Sequence, residues 1–194
     1  MPTSHLLYLH GFRSSPQSTK AQQTARWVAR RHPSLTWCCP QLAASPREAL
    51  DHIFAQVAHW PRPTMAVMGS SLGGFYATVV AERLACKAVL LNPSVNPARD
   101  LAAYVGDIKA WHSDEVFSFR AEFIDELSAM HPPRITHPER YCAVIAKGDE
   151  VLDWREMSAR YKGCKTLLLE GGDHALSSYE QHLAAIADFL DLAL

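Results

Sequence analysis

No stretch of this sequence approaches the run of about 20 apolar residues that a membrane-spanning helix requires. Charge is equally uninformative about partners: 19 Lys and Arg stand against 20 Asp and Glu, a formal net charge of -1. Without a field of either sign, the chain has no electrostatic means of collecting nucleic acid or an anionic membrane surface. Metal signatures are missing too. No His-X-His or His-Glu-X-X-His pair occurs, and the five cysteines lack zinc-site spacing, so neither a metal nor another cofactor is expected. An odd number of cysteines, two of them adjacent (Cys38, Cys39) and three isolated (Cys86, Cys142, Cys164), makes a poor disulfide framework. The N-terminus has no basic segment ahead of its short apolar run at 6–9. A reduced, cytoplasmic protein is the expectation. Internal repeats and low-complexity tracts are absent, and 194 residues at 48% hydrophobic composition suffice for one core, so a single domain over 1–194 is expected.

What is present is an alternation. Short apolar runs at 6–9, 35–39, 65–68, 88–91, 141–146 and 165–169 take turns with helical periodicity at roughly 18–31, 46–60, 72–84, 154–161 and 178–192. This is the pattern of repeated βαβ units, and it predicts an α/β fold: six strands in a mostly parallel sheet with helices on both faces. Residues 92–139 break the rhythm with prolines and aromatics and offer no evident strand, so they read as an insertion. Within it, 114–130 has the pattern of an amphipathic helix, capped by Ser113 and stopped at His131-Pro132-Pro133. Such a helix would be either a lid over the sheet's C-terminal edge or a flank with no contact to substrate.

The run Met65-Ala66-Val67-Met68 feeds Gly69-Ser70-Ser71-Leu72-Gly73, and a helical pattern follows at once. Strand, turn and helix are the context that gives a G-x-S-x-G sequence meaning as a nucleophile elbow. A serine on so sharp a turn is strained, and Gly69 and Gly73 remove the side chains that would collide with neighbouring elements. Ser70 is the weaker choice of nucleophile, because Leu72 would then occupy the position two residues on. A phosphate cradle is excluded by the lack of a following Gly-Lys-Ser/Thr. The loop His10-Gly11-Phe12 after the first strand would supply one oxyanion donor, the N–H of Phe12, and the residue after the nucleophile, Leu72, the other.

Ten histidines compete for the role of base. His174 follows the last apolar run through Glu170-Gly171-Gly172-Asp173, a loop able to carry an imidazole over the sheet edge. His10, ending a strand beside a tight turn, reads instead as an organiser of its loop. For the orienting acid, Asp149 stands one residue past the turn glycine in Lys147-Gly148-Asp149-Glu150. Glu150 is a close rival; Asp153 suits the N-cap of the next helix, and Asp173 adjoins the base too closely to orient it. The order Ser71, Asp149, His174 is that of α/β-hydrolases, which makes a compact α/β-hydrolase fold with its 92–139 insertion the predicted architecture.

The segments 8–16, 69–78 and 91–95, with Gly148-Asp149-Glu150-Val151-Leu152-Asp153 and Gly171-Gly172-Asp173-His174, resemble the small bacterial YqiA-type esterases over nearly the whole chain. The resemblance implies a compact hydrolase acting on short acyl esters and on acyl-CoA thioesters, with the triad on the same three residues. The expected function is therefore a serine esterase for small or medium acyl groups, working through an acyl-enzyme. An acyl-CoA thioesterase with the same triad is the alternative, and a non-catalytic binding protein is the reading from a different class. Arg13 and Lys109 could meet CoA phosphates, but solvated surface charge is the simpler reading. A small-molecule acyl donor is the expected partner.

Overall fold

The computed structural model describes residues 1–109 and 116–192. Strands β1 (His5–Leu9), β2 (Thr36–Cys38), β3 (Met65–Ser70), β4 (Lys87–Leu91), β7 (Tyr141–Ala146) and β8 (Lys165–Leu169) form one sheet, in the order β2-β1-β3-β4-β7-β8. Every pair in it is parallel. Strands β5 (Gly106–Lys109) and β6 (Val116–Phe119) form a separate antiparallel pair.

The sheet's two faces follow from the two-residue period of a strand. Leu6, Tyr8, Ala66, Met68, Val89, Leu91, Cys142 and Val144 point to one side. There they meet Ala21 and Val28 of α1 (Thr19–Arg31) and Leu183, Ile186 and Ala187 of α7 (Leu183–Phe189). Their sequence neighbours Leu7, Leu9, Val67, Ala88, Leu90, Ala143 and Ile145 point to the other side. These bury α2 (Pro46–Gln56), α3 (Leu72–Leu84), α4 (Pro97–Leu101), α5 (Glu122–Met130) and α6 (Trp154–Arg160). The central strands β3 and β7 are buried at every position, which is why they read as continuous apolar runs.

Local signals set several boundaries. Ser45 caps α2 by accepting from Glu48 N, with Pro46 at the first helical position, and Asp153 caps α6 by accepting from Arg155 N. Two expected helices end differently: α2 stops at Gln56 rather than near residue 60, and the last one divides into a 3-10 turn, Tyr179–His182, followed by α7.

The segment 92–139 departs most from expectation. It contains the short helix α4, capped by Asn96, and the hairpin β5–β6 where no strand was expected. The helix expected over 114–130 begins only at Glu122, because Val116-Phe117-Ser118-Phe119 pairs with Gly106–Lys109. Its alternating side chains satisfy a strand once a partner exists, so pairing overrides the helical period. The Ser113 cap, with Asp114 and Glu115, lies outside the described residues. Helix α5 packs on α2 and α4, and Glu126 accepts hydrogen bonds from Ser45 Oγ (2.8 Å) and Arg47 N (3.0 Å). The helix packs on the flank of the sheet, and the hairpin lies over the loop after β1.

The end of the segment is tied down through Glu82 on α3, which accepts from Thr136 N and Oγ1 and from the Tyr141 hydroxyl. Burial alone would raise the Glu82 pKa, but the bonds from Thr136 and Tyr141 outweigh it and hold the carboxyl below its ordinary value. A carboxyl with a depressed folded-state pKa stabilises the fold above its unfolded pKa of about 4.3. That contribution is lost as pH falls through the folded value. Glu82→Gln is therefore expected to cost about 1 kcal/mol at neutral pH, allowing for partial exposure. Urea titrations of both proteins should show the gap closing as pH falls below about 4; a gap independent of pH would exclude the ionic contribution.

Candidate active site

Strand β3 ends in Ser70, and Ser71 turns the chain into α3 with φ 56° and ψ -120°. A non-glycine residue in this region stores of order 1–3 kcal/mol of strain, which persists only where neighbours over-determine it. Here they do. The Ser71 N–H donates to Leu91 O (3.0 Å), and its carbonyl accepts from Gly74 N (2.9 Å) and Ser94 N (3.0 Å). The elbow also demands bare backbone. A Cβ at Gly73 would lie 2.0 Å from the Leu9 carbonyl oxygen on β1, and one at Gly69 would lie 2.0 Å from Gly73 O.

His174 Nε2 stands 3.0 Å from Ser71 Oγ, and its Nδ1 stands 2.8 Å from Asp149 Oδ2. An Nδ1–H donated to the carboxylate leaves Nε2 as the acceptor of the serine proton, the tautomer needed for a general base. The Asp149 side chain is fully shielded, and its Oδ1 accepts from Val151 N and Leu152 N, both at 2.8 Å. Buried carboxylates of this kind are tolerated because every oxygen is paired. The acid and base loops touch directly. A Cβ at Gly148 would fall 2.3 Å from Gly172 O, so glycine is required for that approach.

The rival carboxylates have other partners. Glu150 accepts from the backbone N–H of His174 (3.0 Å), so it holds the base by its main chain. Asp153 caps α6, and Asp173 accepts from Ser177 N (2.9 Å) and Oγ (2.6 Å). His10 is buried, with Nδ1 3.0 Å from Gly11 O and Nε2 accepting from Leu42 N at 3.1 Å; burial lowers its pKa against the effect of the Gly11 carbonyl. It joins the loop after β1 to the loop after β2. A thiol is poorly suited as nucleophile: burial pushes Cys86 up to about 12 and Cys142 up to about 11, where neither is a thiolate.

The loop after β1 lies beside the serine, since a Cβ at Gly11 would be 3.3 Å from Ser71 Cβ. Leu72 is the first residue of α3, so its N–H has no intrahelical acceptor and sits at the positive end of the helix. Phe12 is held from the other side by the rings of Tyr104, Phe117 and Phe119, with centroids 5.1–6.1 Å away in edge-on arrangements. Arg13 Nε donates to the Lys109 carbonyl, a backbone tie between this loop and the hairpin. Next to these residues opens a cavity of about 510 Å³ walled by Phe12, Leu42, Leu72, Tyr76 and Phe117. Such a volume suits a small ligand.

Sequence reasoning missed Asn92. It is fully buried, at φ 40°, directly after β4. Its Oδ1 accepts from Ala146 N (2.8 Å) at the end of β7, and its Nδ2 donates to Asp173 O (3.0 Å) and His174 O (3.3 Å). One amide therefore joins the strand that delivers Asp149 to the loop that carries His174. Asparagine tolerates positive φ, and Pro93 marks a turn, so a turn was legible; the distant partners of the amide were not. Lys20, also unassigned from sequence, donates from α1 to Ala175 O (2.6 Å), and its pKa is lowered by burial against the opposing charges of Asp173 and Asp149.

The model of UPF0227, described as an uncharacterised protein family, matches residues 5–191. Among solved structures, alpha/beta hydrolase domain-containing protein 10 from mouse superposes with a TM-score of 0.72 at 15% identity, covering 97% of this chain and 90% of that one. Est1E from Butyrivibrio proteoclasticus, with ferulic acid bound, gives 0.68 at 13% identity over 98% and 87% of the two chains. The esterase domain of a Rhodothermus marinus protein gives 0.66 at 18%, over 96% and 87%. At these identities the likeness establishes the α/β-hydrolase fold.

The Asn92 bridge can be tested without choosing a substrate, through the rate at which a fluorophosphonate modifies Ser71. Asn92→Asp replaces the donor with an oxygen facing two carbonyls, and the resulting shift of the base is expected to slow modification about 100-fold, the effect of roughly 1 Å of misplacement. Modification at the wild-type rate would mean the loops hold their geometry without the amide.

Proposed function

The chain belongs to the UPF0227 family, the one to which the YqiA-type resemblance pointed, and we propose that it is a serine esterase hydrolysing carboxylic esters of small or medium acyl groups. The observation that carries this reading is the unbroken contact from Asp149 through His174 to Ser71, at 2.8 and 3.0 Å, drawn from three separate loops at one sheet edge. A cluster of this tautomeric consistency, beside an unpaired helix N-terminus, matches the requirements of acyl transfer.

In this mechanism Ser71 Oγ attacks the ester carbonyl carbon while His174 Nε2 takes its proton. The carbonyl oxygen becomes an oxyanion facing the N–H groups of Phe12 and Leu72, where each donor contributes about 3 kcal/mol of transition-state stabilisation. Asp149 stabilises the imidazolium and fixes its orientation. When the tetrahedral intermediate collapses, the carbon–oxygen bond to the alcohol breaks and His174 protonates the departing oxygen. Water, deprotonated by the same imidazole, then attacks the acyl-Ser71 ester, and the second collapse returns the proton to Oγ and frees the acid.

The cavity beside Leu72 and Phe12 is the site for the acyl group, with the hairpin of the 92–139 segment as its roof. All five cysteines are free thiols, which supports a reducing, cytoplasmic setting.

A graded series of p-nitrophenyl esters and acyl-CoAs, turned over by wild type and by Ser71→Ala, tests the reading. Wild type should hydrolyse the shorter esters, and Ser71→Ala should lose about 10⁴-fold or more in kcat with an unchanged melting temperature. Retained turnover in the variant would sink the nucleophile assignment. Inactivity of wild type on every acyl donor would favour a binding module, and acyl-CoA turnover at comparable kcat/KM would extend the substrate class to thioesters.

A further inference from the structure

The acyl cavity contains a polar group that the triad chemistry does not use. Tyr76 lies four residues after Leu72, so the two share a face of α3 about one helical turn apart, about 6 Å along the axis. Both line the cavity, and Tyr76 is only 2% exposed. Three other buried tyrosines are paired, Tyr161 with Thr78 Oγ1 (2.9 Å), Tyr179 with Thr24 Oγ1 (2.7 Å) and Tyr141 with Glu82, whereas the Tyr8 hydroxyl, sealed in the core away from the cavity, has no partner among the described residues. The Tyr76 hydroxyl has no hydrogen-bond partner among the described residues. Facing a cavity, such a group is satisfied by solvent or by whatever enters.

The surroundings define what that can be. Burial, and secondarily the carboxylate of Glu126, push the Tyr76 phenol well above its ordinary pKa, so it remains a neutral O–H that can donate. Glu126 is fixed behind the cavity wall by Ser45 Oγ and Arg47 N, and Ser45 directly follows Ala44 of the lining. A negative charge held there opposes an anionic ligand. Leu42, Ala43, Leu72 and Phe117 give the cavity apolar walls, and Arg13, Ser14, Ser15 and Gln41 add polar groups to its lining.

We propose that Tyr76 is a specificity-determining residue, selecting acyl chains of medium length that carry a neutral oxygen acceptor, such as a ketone or ether, beyond their first few carbons. The inference rests on the serine-esterase reading for the position of the acyl carbonyl. A plain hydrocarbon chain leaves the hydroxyl without a partner from the ligand, and a carboxylate beside Tyr76 would be opposed by the charge of Glu126 behind the wall. Selection of this kind arises because a site built around a hydrogen-bonding group rejects the analogue that lacks the partner.

The test compares p-nitrophenyl octanoate with its monoketo derivatives, one ketone at each carbon from the fourth to the seventh, and with the monoester of octanedioic acid. In wild type, one or more keto esters should exceed octanoate about tenfold in kcat/KM, equivalent to about 1.4 kcal/mol, and the carboxylate-ended ester should be the poorest. In Tyr76→Phe, which removes a hydroxyl with no protein partner and should keep the wild-type melting temperature, the keto preference should fall to about unity. A keto preference that survives Tyr76→Phe, or its absence in wild type, overturns the inference. Calorimetric binding of the corresponding unreactive amides makes the same comparison without turnover, and there too an equal affinity for parent and keto amides overturns it. Persistence of activity in Ser71→Ala would strike the esterase reading, whereas an unaltered keto ratio with an inactive Ser71→Ala strikes the Tyr76 inference alone.

Discussion

The approach of α3 to β1 is the constraint on which the site depends. Gly73 stands against the Leu9 carbonyl with no space for a Cβ, so helix and strand meet backbone to backbone. That contact lets the chain reverse from β3 into α3 within one residue, and the strain of the reversal is concentrated at Ser71. It also brings the loop leaving β1 alongside the serine, placing Gly11 next to Ser71 Cβ. The exposure of Ser71 on its turn and its closeness to the loop after β1 are thus consequences of a single steric fact. Any side chain at 73 would separate both elements, and the parallel register of β1, β3 and β4 leaves no slack to absorb the displacement.

A second layer of polar contacts holds the side chains that this approach leaves free. The turn after β4 contacts all three loops: Leu91 O and Ser94 N bind the Ser71 backbone, while the Asn92 amide binds Ala146 N and the carbonyls of Asp173 and His174. Glu150 adds a bond to the N–H of His174. Leu91 O and Ala146 N stand at the ends of parallel strands, where the sheet ladder runs out and backbone groups need new partners, and the other groups belong to the loops that follow. The hydrogen bonds that satisfy these strand ends therefore also help to hold the loops of Ser71, Asp149 and His174 together.

This explains which parts could be read from sequence. Seven of the nine glycines, at 11, 69, 73, 74, 148, 171 and 172, fall in or beside the turns of the site, and at 69, 73, 74 and 148 close approach leaves no room for a Cβ, which gives the site a residue-type signature. The alternation of apolar runs, likewise, is a local consequence of burial on two sheet faces, and it located all six strands of the sheet to within a residue or two. Asn92 left only a turn signal, since its side-chain partners are 54 and 81 or more residues away. Val116–Phe119 was misread because its helical and extended patterns are equally good until Gly106–Lys109 pairs with it. What is specified by neighbours in space alone stays hidden in the chain.

The same division separates chemistry from selectivity. Ser71, Asp149 and His174 are carried by loops that follow strands of the sheet, whereas Phe117, Phe119 and Tyr104, which pack on Phe12, come from the 92–139 segment, and Phe117 also lines the cavity. That segment is joined to the body through buried side chains, Leu101, Phe119, Phe123 and Leu127, which share one cluster with Leu7 and Leu9 of β1. A change in the hairpin therefore alters the ligand's surroundings with little effect on the backbone that carries Ser71. In the proposed esterase mechanism Phe12 is the exception, because its ring packs against the hairpin and its N–H is assigned to the oxyanion, so a ligand that displaces the ring would also move a donor. In the esterase reading, fit of the acyl group and stabilisation of the transition state are coupled through this one residue, and binding energy gained in the cavity reaches the reacting carbonyl by that route.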